Sequence, residues 1–284
     1  MILITGATGT IGRELVNQLL ADNIKFRVLV RDPAKVAHLQ GKAEIVQGDL
    51  SQPDTLAPAM AGVDHLFLLT VDQETSTDAN VIGAAKAAGV KHVVKVSTNF
   101  VENKRLGGVG TWHKEKEEFL KASGLQWTML RPAAFSSNAL NWAGAIKARG
   151  AVFSSSAESK GVPIDPADIA AVAKACLTQP GHEGQSYDMT GPELLTAKQQ
   201  VAILAGVLGR EIQLIDITVE EAIQNMARFR VMGPRLEVGM REMMTIIRDG
   251  DYDRPVTDTV QKVTGKAPRT FKEWCEAHKG AFAG

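Results

Sequence analysis

Gly6, Gly9 and Gly12 stand three residues apart in Thr5-Gly6-Ala7-Thr8-Gly9-Thr10-Ile11-Gly12, between the apolar run Met1-Ile2-Leu3-Ile4 and a helical pattern continuing through Leu15, Val16 and Leu19. A turn of this kind can hold a pyrophosphate. A helix N-terminus offers unpaired backbone N–H groups and the positive end of its dipole, and a Cβ in the way would keep the phosphate off. Gly6 suits the tight turn, Gly9 the close approach of the phosphate and Gly12 the packing of helix on strand, with Thr8, Thr10 and Ile11 in the same turn. A strand before the triplet and a helix after it are the context that marks a dinucleotide site.

The residue after the second strand distinguishes the two nicotinamide dinucleotides. An acidic side chain there accepts hydrogen bonds from the adenosine ribose diol, whereas an arginine pairs with a 2′-phosphate. The sequence is Val30-Arg31-Asp32-Pro33-Ala34-Lys35. Asp followed by Pro is an N-cap with proline at the first helical position, so Asp32 takes the structural role. Arg31 then faces the phosphate, with Lys35 adding charge; the alternative is a solvated Arg31. The expected cofactor is NADP(H), with NAD(H) as the second choice. In Gly48-Asp49-Leu50, Asp49 and Leu50 are placed to border an adenine, and Asp49 can equally cap its own turn.

A scaffold must hold these groups on one edge. Strand-like runs at Lys25–Val30, Ala43–Gln47, His65–Leu69, His92–Val96 and Trp127–Leu130 alternate with helical stretches, a rhythm that predicts a doubly wound parallel sheet. Ligands of such sheets lie along the carboxyl edge. That places Thr70 and Val71, after the fourth strand, and Ser97, Thr98 and Asn99, after the fifth, towards the nicotinamide half of the cofactor; both groups can also be plain turn chemistry. After about Ala134 the rhythm changes. A helix opens at Asp165-Pro166-Ala167-Asp168, where both aspartates read as first-turn capping, and Ser186–Thr190 reads as a strand returning to the main sheet. The expected division is a nucleotide-binding domain over 1–150, with 186–190 added to its sheet, and a mainly substrate-binding lobe over 151–284.

Composition excludes several classes. Thirty-two Lys+Arg balance 32 Asp+Glu without a basic block, which argues against nucleic acid as a ligand. No apolar run is long enough to cross a bilayer, and the N-terminus is committed to a strand, so a soluble, cytoplasmic protein is expected, with no membrane partner. Cys176 and Cys275 lie far apart without metal-ligand spacing, and neither a metal nor a disulfide is expected. Self-association to a homodimer through surface helices is compatible with the sequence.

Together these pieces resemble the short-chain dehydrogenase/reductase superfamily, and within it the atypical NmrA-like branch that includes type 2 quinone oxidoreductases and triphenylmethane-dye reductases. The resemblance rests on Thr5–Gly12, Val30–Pro33, Gly48–Leu50, Ala61–Asp64, Ala88–His92, His113 with Glu117, Thr128–Pro132 and Asp168–Ala170, and spans nearly the whole chain. It implies a Rossmann-like α/β fold with a smaller α/β C-terminal substrate lobe. It also implies that Pro132 and Phe135, after the sixth strand, flank the nicotinamide ring; Phe135 can equally be core between the lobes.

Most of that superfamily uses a tyrosine with a lysine four residues later. Here Tyr187 is followed at that spacing by Gly191 and Tyr252 by Val256, while His113 stands in the place of the family's lysine and Val109 in that of the tyrosine. The usual acid is absent. His113 becomes the candidate catalytic residue, because a histidine near neutral pH can donate a proton or hydrogen-bond a substrate oxygen. Lys114 to Lys121 reads as a solvated, salt-bridged face, with Glu117 orienting His113 or pairing with Lys121. The expected function is an NADPH-dependent reductase of small electrophiles that take hydride readily and collect a proton from water: quinones, cationic dyes or azo compounds. The alternative is a regulator that senses NADP(H) without chemistry.

Overall fold

The computed structural model describes residues 1–229, 233–252 and 254–283. The apolar start of the chain is β1 (Ile2–Thr5), buried throughout, and the glycine turn delivers it into α1 (Thr10–Ala21). Then follow β2 (Phe26–Val30), β3 (Glu44–Gln47), α2 (Ala57–Met60), β4 (His65–Leu68), α3 (Thr75–Ala87), β5 (His92–Val96), α4 (Gly107–Ala122) and β6 (Gln126–Pro132). After α5 (Ala143–Arg149), β7 (Ala151–Ser154), β8 (Lys160–Gly161) and α6 (Pro166–Thr178), strand β9 (Gln185–Met189) lies beside β6. The seven-stranded order is β3-β2-β1-β4-β5-β6-β9, and each pair is parallel. This is a Rossmann-like α/β sheet.

Both faces are covered, which is why the central strands are apolar without alternation. On one face α1 and α6 bring Ile11, Leu15 and Leu19 together with Ile169, Ala173 and Cys176; on the other, α2, α3 and α4 bring Met60, Val81, Ile82 and Leu120 against Leu3, Leu66 and Leu68. Each such aliphatic side chain contributes about 1.5–3 kcal/mol by leaving water. Asp165 caps α6 by accepting from the Ala167 N–H at 2.8 Å, and Asp168 accepts from the Arg269 N–H at 2.7 Å. Burial pushes the Asp168 carboxyl up to about 6.

The rest of the chain adds β10 (Leu195–Thr196), α7 (Ala197–Leu208), β11 (Gln213–Asp216), α8 (Val219–Phe229), α9 (Pro234–Arg248), α10 (Thr259–Thr264) and α11 (Phe271–His278). β10 pairs antiparallel with β8, and β11 pairs parallel with β7. A separate core of Val152, Leu204, Phe271, Trp274 and Phe282 holds these elements. Helix α9 lies over the start of α4, where Gly239 and Gly108 let the two backbones approach and Trp112 fills the space beside them. Both cysteines are buried, and burial pushes their thiols up to about 12, so they behave as apolar residues. No helix among the described residues is long and apolar enough to cross a membrane.

Candidate active site

Gly6 adopts φ +68, in the left-handed region that favours glycine. Its carbonyl accepts from the Gly9 N–H at 2.9 Å, closing the turn, and Gly9 is the N-cap of α1 without a side chain to cover the helix end. The first N–H groups of α1 therefore face outward from a bare cap. Thr8 and Thr10 are exposed at this turn and Ile11 is buried beneath it. A Cβ on Gly12 would stand 2.1 Å from the Gly6 oxygen, whereas one on Gly9 would meet nothing nearer than that oxygen at 3.2 Å. Gly12 is thus required by the fold itself, and Gly9 keeps the outer surface of the turn open.

Arg31 lies just past β2 with an exposed side chain, and Asp32 accepts from the Ala34 N–H at 3.0 Å, capping the turn that carries Lys35. Arg31 and Lys35 are both exposed beside β3. Asp49 caps its own turn: one carboxylate oxygen accepts from the N–H and hydroxyl of Ser51, which holds the carboxyl below its ordinary value. Leu50 beside it is half-buried.

At the end of β4 and β5 the structure departs from the expected turn chemistry. Thr70 donates to Asp78 on α3, and Asp78 also accepts from Lys95 on β5 at 2.9 Å; Asp78 and Lys95 are wholly buried. Lys116 on α4 reaches the same group, donating to the Asp72 carboxylate at 2.6 Å and standing 3.6 Å from Asp78. Burial pushes the Lys95 ammonium below its ordinary value while Asp78 pulls it back up. Val71, between the two tethered residues, is 77 % exposed.

The solvated face expected for Lys114 to Lys121 is therefore corrected: Lys116 and Glu117 are each only 1 % exposed. His113, Lys116, Glu117 and Leu120 share one face of α4, and that face turns towards the sheet because Asp72, Asp78 and Arg131 supply the opposite charges there. Glu117 neither orients His113 nor relies mainly on Lys121. It takes both Nε and Nη2 of Arg131 on β6, at 2.9 and 2.6 Å, a bidentate pair, with Lys121 farther away at 3.7 Å. Arg131 is completed by Glu102 at 2.6 Å.

His113 is half-buried, and its Nδ1 is shielded with no hydrogen-bond partner among the described residues; the buried Ser97 hydroxyl after β5 stands beside the Glu117 carboxylate, which Arg131 and Ser97 together hold below its ordinary value against the effect of burial. Burial, with the neighbouring charges of Lys95 and Lys116, pushes the His113 imidazole down to about 4. At neutral pH it is an uncharged ring, suited to hydrogen bonding rather than to carrying a spare proton. Buried polar atoms are seldom left unpaired, so His113 Nδ1 fits a polar ligand that completes it. A dinucleotide laid from the glycine turn along this edge would bring an electron acceptor within reach of that atom.

The other candidates divide. Thr98 caps the following turn by accepting from the Phe100 N–H, and Asn99 accepts from the Tyr252 hydroxyl at 2.8 Å. Tyr252, unremarkable in sequence, is brought by the C-terminal region to stack on Phe100 at 5.1 Å, and burial pushes its hydroxyl up to about 12. Pro132 ends β6, buried; Phe135 packs against the core and bridges to Ile164. His65 and His92 meet edge-to-face at the opposite, amino end of β4 and β5. Among the described residues no group of three His, Cys, Asp or Glu could hold a metal ion.

Residues 6–180 match the family described as NAD(P)H-binding. The chain is 40 % identical over 285 residues to an NAD(P)H azoreductase of Xenophilus azovorans, covering 99 % of each. It is 38 % identical to a (4-alkanoyl-5-oxo-2,5-dihydrofuran-3-yl)methyl phosphate reductase of Streptomyces griseus subsp. griseus, covering 100 % of this chain and 99 % of that one. Among solved structures it resembles an NADPH-dependent quinone oxidoreductase of Escherichia coli complexed with NADPH, with a TM-score of 0.84 at 27 % identity, covering 98 % of this chain and 100 % of the other.

Proposed function

The chain belongs to the NAD(P)H-binding family and is an NAD(P)H-dependent oxidoreductase, and we propose that it uses NADPH to reduce quinones, azo compounds, dyes or similar electrophilic small molecules. The observation that carries the reading is the shielded, unpartnered His113 Nδ1 on α4, beside the sheet edge that the glycine turn opens. In this reading Gly6, Thr8, Gly9, Thr10, Ile11 and Gly12 hold the pyrophosphate. Arg31 and Lys35 hold the 2′-phosphate, and Asp49 and Leu50 border the adenine. Thr70, Val71, Ser97, Thr98, Asn99, Pro132 and Phe135 surround the nicotinamide half, and residues 151–284 supply most of the substrate side.

Reduced nicotinamide supplies a hydride when bound. Around it the Lys95–Asp78–Lys116 group fixes α4 against the sheet, and burial, helped by the charges of Lys95 and Lys116, holds His113 uncharged. Neutral His113 hydrogen-bonds the acceptor and orients it, while the proton comes from water. Acceptors that need a strong positioned acid are disfavoured, which leaves quinones, cationic dyes and azo compounds. The reading extends to a cytoplasmic setting and to a homodimer through the outer side of α4, where Phe119 is 40 % exposed; sedimentation checks the latter.

Two binding experiments test the cofactor assignment. Arg31→Ala should weaken NADPH roughly 10- to 100-fold with little change for NADH, since it removes a charge-assisted phosphate contact; equal losses for both in a titration would refute it. Gly9→Ala should fold, with a modestly lower melting temperature from the 3.2 Å approach to the Gly6 oxygen, yet bind both dinucleotides poorly, while Gly12→Ala should lose the fold, given the 2.1 Å clash with the same oxygen. A folded Gly9 variant with undiminished affinity would remove the turn from the site. For turnover, the test is steady NADPH consumption against a panel of quinones, azo compounds and triphenylmethane dyes. Tight binding without consumption by any acceptor would replace this reading with that of an NADP(H) sensor.

A further inference from the structure

Two arginines, Arg131 and Arg254, lie near the ends of β6 and β9. Arg131 is saturated by Glu117 and Glu102. Arg254 is not: its Nε and Nη2 are shielded from solvent and find no hydrogen-bond partner among the described residues. The tethers on either side fix where it stands. Tyr252 is tied beyond β5 through Asn99 and Phe100. Thr257 is tied to β9, its N–H donating to Thr190 at 2.8 Å and its hydroxyl to the Asp188 carbonyl at 3.0 Å. Because β6 lies between β5 and β9, the two tethers bracket the carboxyl end of β6, and Arg254 is close enough to Asp188 and Tyr252 to act electrostatically on both. Two strand spacings are about 10 Å, well within the reach of five residues.

A guanidinium stays charged, so shielding two of its donors without an acceptor is costly unless an anion completes it. An opposite charge that feels Arg254 is Asp188 on β9. Burial pushes its carboxyl above the ordinary value against the pull of Arg131 and Arg254, and its Oδ1 is likewise shielded and without a partner. The two groups feel each other without sharing a hydrogen bond, leaving two shielded donors of Arg254 without an acceptor among the described residues.

We propose that Arg254 determines substrate specificity: its guanidinium receives an anionic oxygen group, a sulfonate, carboxylate or phosphate, carried by the electrophile that is reduced. This rests on the reductase reading above. The fork geometry of Nε and Nη2 matches two oxygens of such a group, as it matches a carboxylate. The contact binds the substituent equally before and after reduction, so it acts on KM more than on kcat.

The test compares 1,4-naphthoquinone with its 2-sulfonate in the wild type, Arg254→Gln, Arg254→Lys and Asp188→Asn, together with calorimetric binding of naphthalene-2-sulfonate to the NADPH-loaded protein. The wild type should favour the sulfonate. Arg254→Gln should cut kcat/KM for the sulfonated quinone at least tenfold more than for the plain one, chiefly through KM, and weaken naphthalene-2-sulfonate to a similar degree. Arg254→Lys should keep part of the preference, and Asp188→Asn should keep it in full. Equal losses on both quinones, or a preference lost in Asp188→Asn as well, would make Arg254 a structural partner of Asp188 and overturn the proposal. If neither quinone is reduced while naphthalene-2-sulfonate still binds through Arg254, the reductase reading fails and the anion site stands. Binding that ignores Arg254 overturns the site in either case.

Discussion

Asp78→Asn is expected to lower stability by about 3–5 kcal/mol, because it strips the counter-charge from a lysine that has no access to water. Lys95 and Asp78 are wholly buried, and Lys116, 3.6 Å from Asp78, keeps only Asp72 as its other ion-pair partner. The loss should appear as a lower urea midpoint at unchanged slope. Its pH dependence has a definite sign. Burial already lowers the Lys95 ammonium below its ordinary 10.5, and removing Asp78 lowers it further. The unfolded chain then binds more protons than the folded one. The difference from wild type should therefore shrink as pH rises towards 10.5 and be greatest below the lowered folded value. A cost that ignores pH would mean that Asp78 acts through packing alone. Because the same group holds α4, the surviving folded fraction should also show a disturbed His113.

His113→Ala should misplace the acceptor, raising its KM and slowing reduction by up to about 10²-fold, while leaving NADPH affinity and melting temperature close to wild type. The ring is uncharged well above its lowered value of about 4. The wild-type rate should accordingly be flat from about pH 6 to about pH 8, with no step near the ordinary histidine value. A loss that falls largely on KM is the mark of this orienting role, whereas a step near pH 6.5 would identify His113 as the proton carrier instead. Unchanged transfer in a stable variant would exclude it from the reaction.

Much of this architecture is legible in the sequence because the signals are local. The glycine turn, the Asp32–Pro33 cap and the Asp165–Pro166 cap each depend on neighbours within about six residues, and the parallel strands announce themselves by apolar runs between helices. The buried polar groups are different. Lys114 to Lys121 alternates charge as a solvent face does, and what turns Lys116 and Glu117 inward is the presence of Asp72, Asp78 and Arg131, contributed by other elements. A signal was present at Lys95: a lysine inside the apolar run Val93-Val94-Lys95-Val96 must be either a strand edge or a paired buried charge. Tyr252 and Arg254 carry no such mark, since their meeting with β5 and β9 depends on a path of about 150 residues that only tertiary packing specifies.

The most direct measurement mixes the NADPH-loaded protein with excess quinone or azo acceptor in a stopped-flow instrument and follows nicotinamide absorbance in one turnover, with protium and with deuterium at the transferred C4 position. Reduction in this cleft requires stoichiometric loss of NADPH absorbance with matching appearance of reduced acceptor, slower for the deuterated cofactor. NADPH that stays bound and unoxidised against every acceptor would contradict it.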